Sequence, residues 1–293
     1  MIDNSSTSPP IPADRDWPLY RYARWMLLHD RDPRLVAFED KLAVKRLAAA
    51  AGVPTVPTLA VLDVETLDLA THPVLQRERF VLKTNHGWND LVFVERTRHG
   101  RYRLSGPHLR GEHGAPDANT ALRRHFRWWR DRYDPGEEWA VGQIAHRQLF
   151  AEPWLAWNDD YKVHVAAGRA VFVHAFTGRF ESAGARGGIF DRDWRLICPV
   201  GSWPRARSWR AAQTRFQRPA ALSGLLAHAE AVVPPRMSLM RVDFFQNPDG
   251  AFMLVEAAAY TAGGRPTHAP GAEVALGRRV FDALSAGGFV ADT

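Results

Sequence analysis

Met240-Arg-Val-Asp-Phe-Phe-Gln-Asn-Pro-Asp-Gly-Ala-Phe-Met-Leu-Val-Glu-Ala257 is the stretch whose reading decides the fold. Two apolar runs flank Asn247-Pro248-Asp249-Gly250, a strong hairpin turn signal. If Asp249-Gly250 is a two-residue loop, Asp243 lies directly opposite Glu256. If all four residues form the loop, the two acids are diagonal neighbours. Side chains alternate with period two along a strand, so both registers put them on one face. Arg241 shares that face, and Val242, Phe244, Met253 and Val255 fill the core side. Like charges opposed across a ladder destabilise it. A bound Mg²⁺ would remove that penalty, because it takes a few carboxylates together with phosphate oxygens. The plainer reading keeps the acids on a wet sheet face with Arg241 as counter-ion.

Outward from the hairpin, the size of the chain sets limits. The 293 residues suffice for one large domain or two to three smaller subdomains. Cys198 is the only cysteine, which excludes an internal disulfide framework and a thiolate metal site and fits a reducing cytoplasm. No run approaches the ~20 apolar residues of a membrane span. The first residues lack the basic and apolar regions of a signal peptide, and residues 1–15 read as a disordered tail. A cytoplasmic protein is expected. The net charge of +6 and pI of 9.8 admit nucleic acid, a membrane surface or anionic small molecules as partners. No zinc-finger, RNP-type or helix-turn-helix pattern supports nucleic acid. The Arg excess, scattered through 96–132 and 179–218, suits carboxylate and phosphate recognition.

Helices are predicted at 16–30, 38–51, 63–72, 118–133, 216–232 and 273–286. Gly52 and Pro54 stop the second, and the stripe Leu122, Phe126, Trp129, Tyr133 marks the fourth. Strands are predicted at 56–61, 80–83, 91–95, 148–155, 161–166 and 170–177, while 97–117 and 178–190 read as Gly- and Arg-rich loops. Hairpins mixed with helices indicate an α+β (mixed α/β) fold, not a doubly wound parallel sheet.

Lys83 ends an apolar strand ahead of the polar turn Thr84-Asn-His-Gly-Trp-Asn-Asp90. A Lys there reaches either a phosphate or solvent, and turn N–H groups can cradle an anion. The Gly-Lys-Ser/Thr order of a Walker A loop is absent. Glu152-Pro-Trp-Leu155 sets a carboxylate at a strand end beside a broad apolar ring. Pro153 has no N–H, so any backbone donor there comes from Trp154 or Leu155. Asp160 and Lys162 share one strand face, as an ion pair or as separate ligands to ribose and phosphate. No His-x₃-His or His-Glu-x-x-His pattern points to zinc. Gly263-Gly264-Arg265 forms either an oxyanion cradle or a flexible loop.

Taken in order, Asp40-Lys41, Ala51-Gly-Val-Pro-Thr-Val-Pro57, Phe80-Val-Leu-Lys83 with Asn85-His86-Gly87, Glu152-Pro-Trp-Leu155, Asp160-Tyr-Lys162, Arg241-Val-Asp243 and Glu256 form a series. This series, over residues 38–270, resembles the ATP-grasp superfamily. It looks most like the TupA-like branch of teichuronopeptide and polysaccharide biosynthesis. The resemblance implies two α+β subdomains holding ATP between them, after a small N-terminal domain. The expected boundaries are 16–78 for the N-terminal domain, 79–150 for the first subdomain and 151–293 for the second, which carries the hairpin.

The resemblance also implies roles. Lys41 and Lys83 would contact ATP phosphates. Glu152 and the backbone of Pro153, Trp154 and Leu155 would hold adenine, and Asp160 the ribose, with Asp159 an equal rival by spacing. Asp243 and Glu256 would hold Mg²⁺. Arg241 would stabilise the transferred phosphoryl group, and Lys162 would face the γ-phosphate or the acceptor carboxylate. The family commonly carries Asn or Thr two residues after the metal-binding Glu. Here that residue is Ala258, which leaves a second Mg²⁺ without a ligand unless Tyr260, Thr261 or a water supplies one.

The implied activity is an ATP-dependent carboxylate–amine ligase forming an amide through an acyl phosphate, in polysaccharide, peptide or natural-product biosynthesis. The partners would be small acidic carboxylate and amine substrates, with no nucleic acid and no membrane span, and a homodimer is left open. Arg179 and Arg186 are candidate substrate contacts. Two rivals stand beside this reading. One is a phosphotransferase acting on a hydroxyl, with Asp191, Asp193 or His174 as base. The other is a non-catalytic nucleotide- or glycan-binding module.

Overall fold

The helical stretch predicted over 38–51 is interrupted at Asp40. In the computed structural model, α2 (Arg34–Glu39) stops there and α3 (Lys41–Ala50) begins, because the Asp40 carboxylate accepts the Leu42 N–H at 2.8 Å and caps the new helix. At the other end Gly52, at φ +71°, lets Val53 N–H reach Ala48 O (2.8 Å) and Gly52 N–H reach Ala49 O (3.0 Å), closing a Schellman turn. An earlier helix, α1 (Leu19–His29), lies within its predicted span. The structure describes residues 10–12, 14–88, 90–155, 159–177, 186–200, 217–259, 268 and 270–290, without the side chains of Arg186, Pro199 and Val200.

The chain divides into two units, one formed by residues 39–42 and 56–156, the other by 1–38, 43–55 and 157–293. Residues 16–78 are thus shared between them. Each unit is built on a six-stranded antiparallel sheet with helices, an α+β architecture.

In the first unit, β1 (Ala60–Leu62), β2 (Arg79–Thr84), β3 (Val92–Arg96), β4 (Tyr102–Ser105), β5 (Arg110–His113) and β6 (Leu149–Pro153) lie in the order β1-β6-β2-β3-β4-β5. Phe80, Leu82, Val92, Val94 and Ala151 point to one face, where Leu122 and Phe126 of α4 (Ala115–Arg132) complete the core. A short α5 (Trp139–Gly142) follows. The opposite face carries Lys83 and Glu152, on the alternate positions of β2 and β6.

Two expectations are corrected here. Residues 63–72 do not form a helix; the carboxylates of Asp63 and Asp68 accept the N–H groups of Glu65 and Ala70 (2.9 Å each), and these Asx turns compete with helical pairing before a short 3₁₀ turn at Pro73–Gln76. The Arg-rich stretch 97–117 is not a loop but contains the β4–β5 hairpin. Tyr102 and Leu104 are buried while Arg101 and Arg103 point outward to Glu112 and Glu95, so the alternation is that of a strand.

In the second unit, β7 (Asp160–Ala166), β8 (Arg169–Thr177), β9 (Arg186–Phe190), β10 (Leu196–Val200), β11 (Leu239–Gln246) and β12 (Phe252–Ala258) lie in the order β10-β9-β8-β7-β11-β12. The end of the predicted 178–190 loop is therefore a strand. Gly187 makes this pairing feasible, because a Cβ there would stand 2.1 Å from Ala175 O. Residues 178–185 lie outside the described residues. α6 (Leu222–Val232) packs on β7 and β8. α1 and α7 (Pro270–Ala286) build a core with Phe172, Ile189 and Leu239. Phe172 and Leu239 lie two residues from His174 and Arg241, so this core borders the polar row described below.

Candidate active site

Asp243 pairs directly with Glu256 across β11 and β12, but through neither of the two simple registers. The turn spans 247–251, with Gln246 opposite Phe252 and Phe244 opposite Leu254. The ladder then shifts by one residue between Phe244 and Asp243, leaving Val255 bulged without a partner. That extra residue returns Glu256 to the place opposite Asp243. It also corrects the expected core face: Phe252, Leu254 and Val255 are buried beside Val242 and Phe244, while Met253 is half-buried.

Asp243 also pairs with Lys162 on β7, and Lys162 with His174 on β8. One row across four strands therefore reads His174, Lys162, Asp243, Glu256. The neighbouring row reads Phe172, His164, Arg241, Ala258. Arg241 grips Asp243 with two bonds, Nε to Oδ1 at 2.7 Å and Nη2 to Oδ2 at 2.9 Å, and lies 3.7 Å from Glu256. Lys162 Nζ donates to Asp243 Oδ2 and sits 3.3 Å from Asp160 Oδ1. Burial alone would push the Asp243 carboxyl up; Arg241 and Lys162 overcome this and hold it well below the usual carboxylate range. Burial likewise opposes the Arg241 charge, but Asp243 against it, then Glu256 and Asp160, raises its proton affinity above the ordinary value.

His164 and His174 lie on the same face. His164 is buried and stacked on Phe172, with ring centroids 4.1 Å apart. His174 stands 6.0 Å from His268, ring to ring. Burial, then the nearby positive side chains, pushes both rings well below the ordinary histidine range, so both are neutral at pH 7.

The first unit holds the other predicted ligands. Lys83 Nζ lies 2.7 Å from Glu152 Oε2, with both side chains largely buried. Trp154 packs against Phe93, ring centroids 4.9 Å apart, and the Arg79 guanidinium lies 5.6 Å over the indole. Pro153 and Leu155 are half-buried beside it. Lys41, the first residue of α3, donates from Nζ to Gly87 O at 2.7 Å, and its N–H reaches Asn85 O at 2.8 Å. Asp90 stands 4.0 Å from Lys41 and accepts the Thr84 N–H at 2.6 Å as well as its hydroxyl. The turn after β2 is thus tied down at both ends. His86 is fully buried in it, Nδ1 3.1 Å from Asn85 Oδ1 and Nε2 3.0 Å from Trp129 O, and burial pushes its pKa down to about 4.

Lys41, Lys83 and Glu152 belong to one unit, and Asp160, Lys162, Arg241, Asp243 and Glu256 to the other. Asp160 is buried at the start of β7, and Asp159 precedes the strand, half-buried. Two residues of these clusters carried no role in the sequence reading: Asp90, inside the turn already singled out, and His164, which the period-two pattern Asp160, Lys162, His164 marks. Tyr260, Thr261, Gly263, Gly264, Arg265 and Arg179 lie outside the described residues, as does the side chain of Arg186. Among the described residues, no group of three or more His, Cys, Asp or Glu side chains could hold a metal ion, and no helix is long and apolar enough to cross a membrane.

No protein-family profile and no curated protein matches the chain. Solved structures do. D-alanine–D-alanine ligase from Bacillus anthracis, complexed with ATP, is 12% identical with a TM-score of 0.48, over 86% of this chain and 67% of its own. D-cycloserine synthetase is 17% identical with a TM-score of 0.42, over 85% of this chain and 70% of its own. N5-carboxyaminoimidazole synthase from Aspergillus clavatus is 14% identical with a TM-score of 0.42, over 80% of this chain. The chain spans only 46% of the length of that last protein.

Proposed function

We propose that this chain is an ATP-dependent carboxylate–amine ligase of the ATP-grasp kind, TupA-like, serving polysaccharide, peptide or natural-product biosynthesis. The observation that carries the reading is the row Lys162, Asp243, Glu256 with Arg241 beside it, two carboxylates and two cations on one sheet face. Asp160, two residues before Lys162 and 3.3 Å from its Nζ, adds a third acid to these two bases. Here the ladder opposes a second acid to the first, at a cost that a bound cation would remove.

Two facing carboxylate groups fit one Mg²⁺, which completes its shell with phosphate oxygens and water. The bound ion would neutralise phosphate charge. Ala258 offers no side-chain oxygen to a second ion. The remaining work falls to the chain's own groups. Lys41 and Lys83 hold the ATP phosphates, Glu152 with the Pro153, Trp154 and Leu155 backbone holds adenine, and Asp160 holds the ribose. Arg241 and Lys162 meet the γ-phosphoryl group as the substrate carboxylate attacks phosphorus and ADP leaves. The acyl phosphate then passes its acyl group to an amine. Such chemistry needs positioning and charge neutralisation and no protein nucleophile, in keeping with a site of cations and acids.

Calorimetry of ATP binding to wild type and Asp243→Ala, with and without Mg²⁺, tests this. The expected result is binding that needs both Mg²⁺ and Asp243. Equal binding by both proteins with or without Mg²⁺ would overturn the site, and binding without ADP release under any acceptor would identify a non-catalytic module.

A further inference from the structure

We infer that His174 accepts the proton that the amine must lose when it attacks the acyl phosphate; this deepens the ligase reading above and rests on it. His174 directly opposes Lys162 in the ladder, on the face that carries Arg241, Asp243 and Glu256. Its Nε2 is buried and, among the described residues, has no hydrogen-bond partner, and the same holds for His164 Nδ1. Buried polar atoms without partners are rare and cost about 1–3 kcal/mol each. His72, His113 and His228 also carry one such nitrogen each, but only His164 and His174 lie on the sheet face of the charged array, and there the two mark a place prepared for an N–H-bearing molecule. The other bases considered lack this placement. Asp191 accepts the Asp193 and Arg195 N–H groups within its own turn, and Asp193 lies in that turn.

The groups facing His174 are His164 and Lys162 from β7, Arg241 and Asp243 from β11, and His268 just before α7, which itself lies near Glu273 of that helix. Lys162 and Arg241 help to keep the ring neutral while no anion is present. A phosphate beside them would offset that effect and raise the basicity of the ring when the acyl phosphate forms. The amine nitrogen lone pair then forms the C–N bond, and the C–O bond to phosphate breaks with its electrons leaving on phosphate. The proton on the new ammonium nitrogen passes to Nε2, and the imidazolium returns it to solvent.

The test uses the full chain with ATP and Mg²⁺. The carboxylates are the proteinogenic amino acids, glucuronate and galacturonate; the nucleophiles are hydroxylamine, glycine, L-alanine and glucosamine. Hydroxylamine is neutral at pH 7 and attacks acyl phosphates without a base. In His174→Gln, amide formation should fall about 100-fold or more, in the range general bases contribute, with hydroxamate formation falling far less. Added imidazole should restore amide formation in His174→Ala. Parallel loss of both products, or no loss of either, overturns the role of His174 while leaving the ligase reading in place. If wild type forms neither ADP nor hydroxamate from any carboxylate, or makes a stable phosphorylated product without an amine, the ligase reading falls, and this role falls with it.

Discussion

The Lys83 ammonium and the Glu152 carboxylate form a 2.7 Å ion pair with the acid almost wholly buried. Removing one partner of such a pair strands the other's charge, at a cost of roughly 3–5 kcal/mol. Lys83→Ala should therefore both abolish ATP binding and lower stability by about 3 kcal/mol. Lys83→Met with Glu152→Leu should recover most of the stability in urea melts and none of the ATP binding in calorimetry. Recovery of both would remove Lys83 and Glu152 from the nucleotide site.

Acid should weaken the fold in two windows. His86 is held near 4 by burial, against about 6.5 in an unfolded chain. Below 6.5 the unfolded state takes a proton that the folded state refuses, so this stability is present above 6.5 and lost as pH falls toward 4. The full effect is about 3 kcal/mol. His164 and His174, also lowered, act in the same direction. The Asp243 carboxyl, held low, adds a loss that begins as pH falls into the ordinary carboxylate range, where the unfolded chain takes the proton that the folded state refuses. Urea unfolding of wild type and His86→Gln at pH 7.5, 5.5 and 4.5 should show the shallower decline in the variant.

Gly87 takes φ +83°, and a Cβ there would stand 2.9 Å from the Trp129 ring. Left-handed backbone alone costs a side chain about 1–2 kcal/mol, and the packed indole cannot step aside. Gly87→Ala should lower stability by at least that much. It should also weaken ATP binding, since the Gly87 carbonyl anchors Lys41.

Ala258 pairs opposite Arg241, two residues beyond Glu256. Ala258→Asn would place an amide oxygen on the face of the two acids. The Mg²⁺ concentration for half-maximal ATP binding should fall several-fold, with no change in binding when Mg²⁺ is absent. An unchanged Mg²⁺ requirement would exclude that position from the metal site.

The second-unit cluster was legible because it rests on period two. Asp160 with Lys162, and Arg241 with Asp243, share a face by counting alone, and the Asn-Pro-Asp-Gly turn brings Glu256 back to it. The bulge at Val255 was not legible, since Leu254 and Val255 suit a buried face equally and the turn admits several lengths. The Lys83–Glu152 bond was hidden for a different reason: β2 and β6 pair across a long sequence interval that includes three strands and two helices. The β4–β5 hairpin was masked by its Arg and Gly content, although the buried Tyr102 and Leu104 carried the alternation.

The bulge at Val255 has a practical use for anyone who wishes to mark this protein. Three rungs and then the bulge stand between the Pro248–Gly250 tip and the carboxylate pair, and β7 holds β11 along the same stretch, so an insertion at the tip should leave that pair in register. Pro248 and Asp249 are exposed. An epitope or a fluorophore-bearing peptide spliced between them would ride on the hairpin and leave Asp243 and Glu256 aligned.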